Sequence, residues 1–156
     1  MTQPIDRAAD ALIASLAQSL DRGLILMIDY GFAAAEYYHP QRHMGTVMCH
    51  RQHRSDANPL ADLGHKDITA HVNFTAIALA AQDAGMEVLG YTSQARFLFN
   101  CGLLAMLQSA SLATRTHARR LVDEHEMGEL FKVIGFARGC SFDAVGFAEG
   151  DRSHTL

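Results

Sequence analysis

GLILMIDYGFAAAEYYHPQRHMGT, residues 23–46, begins its apolar run at Leu24 and carries it without interruption to Ile28. A run this short, set between a glycine and a charge, predicts a strand buried on both faces. It ends at Asp29-Tyr30-Gly31. In open α/β sheets, ligands sit just beyond the carboxyl ends of the parallel strands. Asp29, Tyr30 and Glu36 therefore fall where chemistry is expected. The plainer alternative is that Asp29 only caps a strand.

Upstream, Ile5, Ala8, Ala9, Leu12, Ile13, Leu16 and Leu20 recur with helical spacing and predict an amphipathic helix over 5–20. Pro4 suits its first turn and Gly23 its stop. Helix then strand across a short turn is one half of a βαβ unit.

Downstream, residues 30–66 have no sustained periodicity and hold five of the nine histidines. A segment this long without elements is either functional or hides one. A short strand or helix is expected near Thr46–Cys49. Asn73 suits a helix N-cap, because its side chain can accept from the free amides of the first turn. A helix over 74–84 would place Phe74, Ile77, Ala78 and Ala81 on one face, and Gly85 would end it. Residues 86–91 read as a second strand, 94–107 as a helix broken at Gly102, and 112–126 as a charged helix. Residues 131–136 read as a third strand, and a frayed polar tail is expected from Glu149. Three strands with flanking helices make half of an α/β sheet. The expectation is one partial domain over 1–156.

The 156 residues are 49% hydrophobic, enough for a sizeable core, and their net charge of −4 gives no footprint for nucleic acid. No apolar run approaches the roughly 18 residues that a membrane span needs. MTQPIDRAAD has no basic segment followed by an apolar one, so no secretory signal is expected. Cys49, Cys101 and Cys140 are scattered and odd in number, which predicts free thiols in a reducing, cytoplasmic setting.

The motifs for metal and nucleophile chemistry are weak. His50 and His53, with His39 and His43 nearby, invite a metal, but no HExxH or CxxC accompanies them. No metal is expected, although a hydrolase using the loop histidines stays open as a reading. No Gly-x-Ser-x-Gly elbow and no phosphate-binding GxxxxGK[ST] is present. Cys49 beside His50 is a poor catalytic pair, since such pairs meet through the fold. Arg115, Arg119 and Arg120, with Asp123, Glu124 and Glu126, read as a solvated helix face.

In order along the chain stand Ile28-Asp29-Tyr30-Gly31, Glu36-x-Tyr38, Arg42-x-x-Gly45-Thr46, His50-x-x-His53 and Asp67-Ile68-Thr69-Ala70-His71-Val72-Asn73-Phe74. Thr92-x-Gln94-x-x-Phe97-Leu98 and Met127-Gly128-Glu129-Leu130-Phe131-Lys132-Val133 follow. This series resembles the C-terminal half of the MidA-like family of S-adenosylmethionine-dependent methyltransferases, which includes the mitochondrial arginine methyltransferase of respiratory complex I assembly. Asn73 stands where many members carry Asp, and it keeps the capping chemistry.

The resemblance implies the C-terminal part of a class I, Rossmann-like methyltransferase sheet. Strand 24–29 would be its fifth strand, and 86–91 and 131–136 its sixth and seventh, at the antiparallel end. The family's glycine-rich cofactor loop lies upstream of this region, and none of the twelve glycines here forms a GxGxG series. S-adenosylmethionine is the implied cofactor, with most of its site upstream. A protein arginine is the implied acceptor. A guanidinium needs a carboxylate to hold it, so Asp29 and Glu36 are the expected catalytic carboxylates. Tyr30, Tyr38 and His71 are expected to line the acceptor pocket, and Arg42 and Thr46 to order the loop. The other reading is a non-catalytic module, or a half-enzyme that self-associates or takes a complementing chain.

Overall fold

The computed structural model describes residues 7–42, 45–51, 54–56 and 58–156. Pro4, His43 and His53, which carried expectations above, lie outside them. Helix α1, Arg7–Gln18, leads into strand β1, Gly23–Phe32. A short helix α2, Ala34–Tyr37, and a 3-10 turn, Pro40–Arg42, follow at once. The long segment then holds strands β2, Met48–Arg51, and β3, Arg54–Asp56, and beyond it comes β4, Asp67–Thr69. These three form a small antiparallel sheet in the order β3-β2-β4. The short strand or helix expected near Thr46–Cys49 is a strand, β2, paired with β3 on one side and β4 on the other.

Strand β5, Val72–Asn73, runs into helix α3, Phe74–Asp83, and then strand β6, Glu87–Ser93. Helices α4, Gln94–Asn100, α5, Leu103–Gln108, α6, Leu112–Val122, and α7, Met127–Leu130, precede strand β7, Phe131–Arg138. The main sheet has the order β5-β1-β7-β6. β7 is antiparallel to both neighbours, and β5 joins β1 in parallel at Gly31 and Phe32 alone. The fold is thus α/β, with a mixed sheet of four strands where three were expected. The fourth was missed because a two-residue strand has no periodicity to read.

Local chemistry accounts for the boundaries. Asn73 Oδ1 accepts from the Ala76 amide at 3.3 Å, as a capping residue should. Gly85, at φ +80°, ends α3 in the left-handed conformation. Gly102, at φ +87°, separates α4 from α5. The main core lies where α1 and α3 cover one sheet face: Ile13, Ala17, Phe74, Ile77 and Ala81 meet Tyr91, Ile134 and Phe136.

Two expectations are corrected. β1 is not buried on both faces: Ile25 and Met27 pack against the core, but Leu24, Leu26 and Ile28 are 46%, 42% and 48% exposed. On that second face Phe147 packs over Gly90 and Gly135, on β6 and β7, and the cover goes no further toward β1. An unbroken apolar run cannot tell which of its faces will be covered. Nor is the C-terminal tail frayed. The Arg152 amide donates to the Tyr91 carbonyl at 2.6 Å, Asp151 Oδ1 accepts from the Tyr91 amide at 2.8 Å, and Thr92 Oγ1 donates to the Gly150 carbonyl at 2.7 Å. The tail thereby satisfies the outer edge of β6, which would otherwise present open hydrogen-bonding groups.

Candidate functional site

The parallel pairing of β1 with β5 fixes the carboxyl end of β1. A Cβ on Gly31 would run into the Val72 carbonyl and come within 2.7 Å of the Phe74 ring, so only glycine lets the two strands close here. The chain then leaves β1 through Ala33, and the Ala34 amide donates to Thr75 Oγ1 at 2.8 Å. This anchors α2 and the following turn over the strand end.

Phe32 is the centre of the resulting cluster. The Arg42 guanidinium lies 3.8 Å from its ring centroid on one side. His71 stacks on it at 4.9 Å with planes 22° apart. Arg42 also pairs with Glu36 at 3.4 Å. His71 meets Tyr30 edge-on at 6.4 Å, and Tyr30 meets Phe131 at 4.2 Å. Tyr38 accepts a long, 3.4 Å hydrogen bond from Asn73 Nδ2. Thr46 is buried, and its carbonyl faces His71 Nδ1 at 3.4 Å. A carbonyl can only accept, so Nδ1 carries the hydrogen in this contact, and Nε2 of the neutral ring keeps its lone pair.

Six of the seven residues picked from sequence thus come together: Tyr30, Glu36, Tyr38, Arg42, Thr46 and His71. Asp29 stands apart. Successive side chains on a strand point to opposite faces, and Asp29 shares its face with Met27 while Tyr30 takes the other. Asp29 lines an apolar cavity of about 320 Å³ with Leu12, Met27, Phe74 and Ile77. One of its carboxylate oxygens accepts from the Tyr30 amide at 2.7 Å. Tyr30 and His71 line a second cavity of about 430 Å³ with Met48, Asp67, Thr69 and Leu130. Both volumes are in the range of ligand pockets.

Sequence reasoning passed over Phe32, Asp67 and a charged group behind the site. Phe32 continues the aromatic alternation begun at Tyr30, which was a usable signal. Asp67 opens a motif that was quoted but not given a role. Behind the site, Arg152 pairs with Glu129 at 2.7 Å, and Lys132, buried, donates to both the Glu129 carboxylate and its carbonyl. Burial works to raise the Glu129 carboxyl, but the Arg152 hydrogen bond and the Lys132 charge outweigh it and hold the group below its usual range. Tyr91 is 2% exposed, and burial, helped by the Glu36 carboxylate, pushes its phenol well above the ordinary value. Nothing local in the sequence links residue 152 to residue 129.

Among the described residues no group of three or more His, Cys, Asp or Glu is placed to hold a metal ion. No helix among them is long and apolar enough to cross a membrane.

Residues 5–92 match a family described as "Putative S-adenosyl-L-methionine-dependent methyltransferase". No curated protein matches the chain. Two crystal structures from Burkholderia thailandensis are similar to it. One, of an uncharacterized protein, is 47% identical with a TM-score of 0.92, over 97% of this chain and 42% of that one. The other, bound to S-adenosyl-homocysteine, is 47% identical with a TM-score of 0.89, over 97% of this chain and 41% of that one. The chain therefore spans about two fifths of the length of these structures. With more than half of its residues inside the matched region, the chain belongs to that family of S-adenosylmethionine-dependent methyltransferases.

Proposed function

We propose that this chain is the acceptor-side portion of an S-adenosylmethionine-dependent methyltransferase. It corresponds to the C-terminal half of the MidA-like group, is directed at arginine in a protein substrate, serves respiratory complex assembly and works in the cytoplasm. One observation carries the reading: Tyr30, Phe32, Glu36, Arg42 and His71 converge at the carboxyl end of β1, in a chain 47% identical to a protein crystallised with S-adenosyl-homocysteine.

When bound, S-adenosylmethionine supplies an electrophilic methyl group. The residues present do not make its whole grip. Gly31, the glycine at the strand end, is closed by Val72 and Phe74 of its own chain and leaves no cradle. On this reading the chain's own residues hold and orient the acceptor. Arg42 and Glu36 steady the loop, Tyr30 and His71 wall the cavity, and Asp29, on the opposite face, serves the cofactor side.

A second reading rests on β1. Among the described residues, the edge of β1 away from β7 is paired only at Gly31 and Phe32. An open edge is a template for pairing, so the chain would take a complementing segment or a second copy there.

The test combines the chain with the part of the S-adenosyl-homocysteine-bound relative that it does not match. Calorimetry with S-adenosyl-homocysteine and transfer of a labelled methyl group to an arginine peptide are measured for each part and for the mixture. Binding and transfer by the mixture alone support the proposal. A mixture that binds no S-adenosyl-homocysteine overturns it.

A further inference from the structure

We propose that Asp67 is the carboxylate that receives the cationic end of the acceptor, an ammonium or guanidinium on an apolar stem. The proposal rests on the acceptor-side reading above and assigns a residue that reading did not use.

The carboxylates around the cluster are accounted for one by one. Glu36 is engaged by Arg42 at 3.4 Å. Glu129 is engaged by both Arg152 and Lys132. Asp29 faces the other cavity and has an oxygen held by the Tyr30 amide. Asp67 sits at the first position of β4, is exposed, and makes no ion pair among the described residues. It is the carboxylate that lines the 430 Å³ cavity with Tyr30 and His71.

The walls fit a cation with a hydrocarbon stem. Met48 and Leu130, 39% and 48% exposed, offer apolar surface for the stem. Tyr30 offers an aromatic ring, held by Phe131 at 4.2 Å, and aromatic faces attract ammonium and guanidinium groups. The His71 ring lines the cavity with its Nδ1 side turned to the Thr46 carbonyl at 3.4 Å. Its far face is closed by Phe32, so it cannot swing away in that direction. A neutral ligand of the same shape would leave Asp67 without its partner, and a charge-assisted bond is the stronger kind.

Capped arginine, capped lysine and capped citrulline are titrated separately into the chain. Binding is followed by the backbone amide signals of Ala70 and His71. Citrulline is nearly the shape of arginine without its charge. Arginine or lysine should bind at least tenfold tighter than citrulline, and the tighter of the two identifies the head group. Asp67→Asn should remove that preference, Asp67→Glu should keep it within a few fold, and Asp83→Asn should leave it unchanged. Melting curves check each variant's fold. The proposal is overturned if citrulline binds as tightly as the cations, if a folded Asp67→Asn chain keeps wild-type affinity, or if no probe shifts either signal. Should Asp67→Asn fail to fold, the citrulline comparison and Asp67→Glu still decide. No methyl transfer is measured, so cation binding can stand while the methyltransferase reading fails in the complementation test, and the reverse.

Discussion

Arg42 and Phe32 are joined face to ring, with the guanidinium 3.8 Å from the ring centroid, and His71 stacks on the same ring. One aromatic side chain at the end of β1 therefore ties the turn after α2 to the segment before α3. Phe32→Leu keeps an apolar group but removes both ring contacts. It should cost about 1–2 kcal/mol in stability, the scale of a partly buried large-to-small change with a cation–π contact. Chemical denaturation measures it. Arg42→Lys retains the charge toward Glu36 but not the flat guanidinium, and Lys does not replace Arg at stacked sites. It should perturb the His71 ring signals in NMR while changing stability by less than about 1 kcal/mol. Unaltered His71 signals in both variants would mean that the stack does not position the histidine.

Asp29 tests whether the strand end is chemistry or architecture. Its carboxylate is exposed and accepts one neutral amide, so Asp29→Asn should change stability by less than about 1 kcal/mol. In the complemented enzyme it should slow methyl transfer by roughly a hundredfold, the usual scale for losing a charge aimed at a reacting centre. Glu36→Gln should show a smaller loss, since Arg42 already shares that charge. The measurement is a rate paired with a melting curve. A fully active Asp29→Asn enzyme would make Asp29 a structural residue.

The β1 edge predicts association. Leu24, Leu26 and Ile28 are exposed beside a backbone edge that is largely unpaired among the described residues. At roughly tens of micromolar, a range in which such surfaces associate, the isolated chain should form dimers or larger species in sedimentation experiments. Leu26→Lys adds a charge on the exposed face, a known way of blunting edges. It should shift the chain toward monomer without lowering its melting temperature. A wild-type chain that stays monomeric would remove the support for edge pairing.

Periodicity made α1 and α3 legible, because each buries one face against the same core and carries the spacing that such burial requires. β6 and β7 were legible instead as short apolar runs, and β7 is buried on both faces. Part of the candidate site was legible for a different reason: Tyr30, Glu36 and Arg42 lie close in sequence to the end of β1, so knowing the strand end grouped them, whereas His71, far along the chain, was named through the family resemblance. Asp29 was misgrouped with Tyr30, since neighbours on a strand face opposite ways. The two-residue strand β5 and the one-sided exposure of β1 depend on partners distant in sequence. So does the tail, whose Asp151 and Arg152 reach back to Tyr91.

That tail gives the last prediction. Arg152 engages both oxygens of Glu129, at 2.7 and 3.3 Å, and its amide closes on Tyr91. The Arg152 and Glu129 side chains are 44% and 39% exposed, so solvent screens the pair, and Arg152→Ala should cost under about 1 kcal/mol at neutral pH. The size of that loss should depend on pH in a set direction. The folded-state carboxyl of Glu129 is held below its ordinary value of 4.5, against the effect of burial, by Arg152 and Lys132. A depressed carboxylate stabilises the fold fully above its unfolded pKa, and the contribution fades as pH falls through the folded value. The gap between wild type and Arg152→Ala should therefore be constant from pH 7 down to about pH 5. Below that it should narrow, as the carboxylate is protonated in both proteins and the pair is lost. Urea denaturation of both proteins at stepped pH reads this directly. A gap that stays constant or widens on acidification would show that the Arg152 side chain does not act through Glu129.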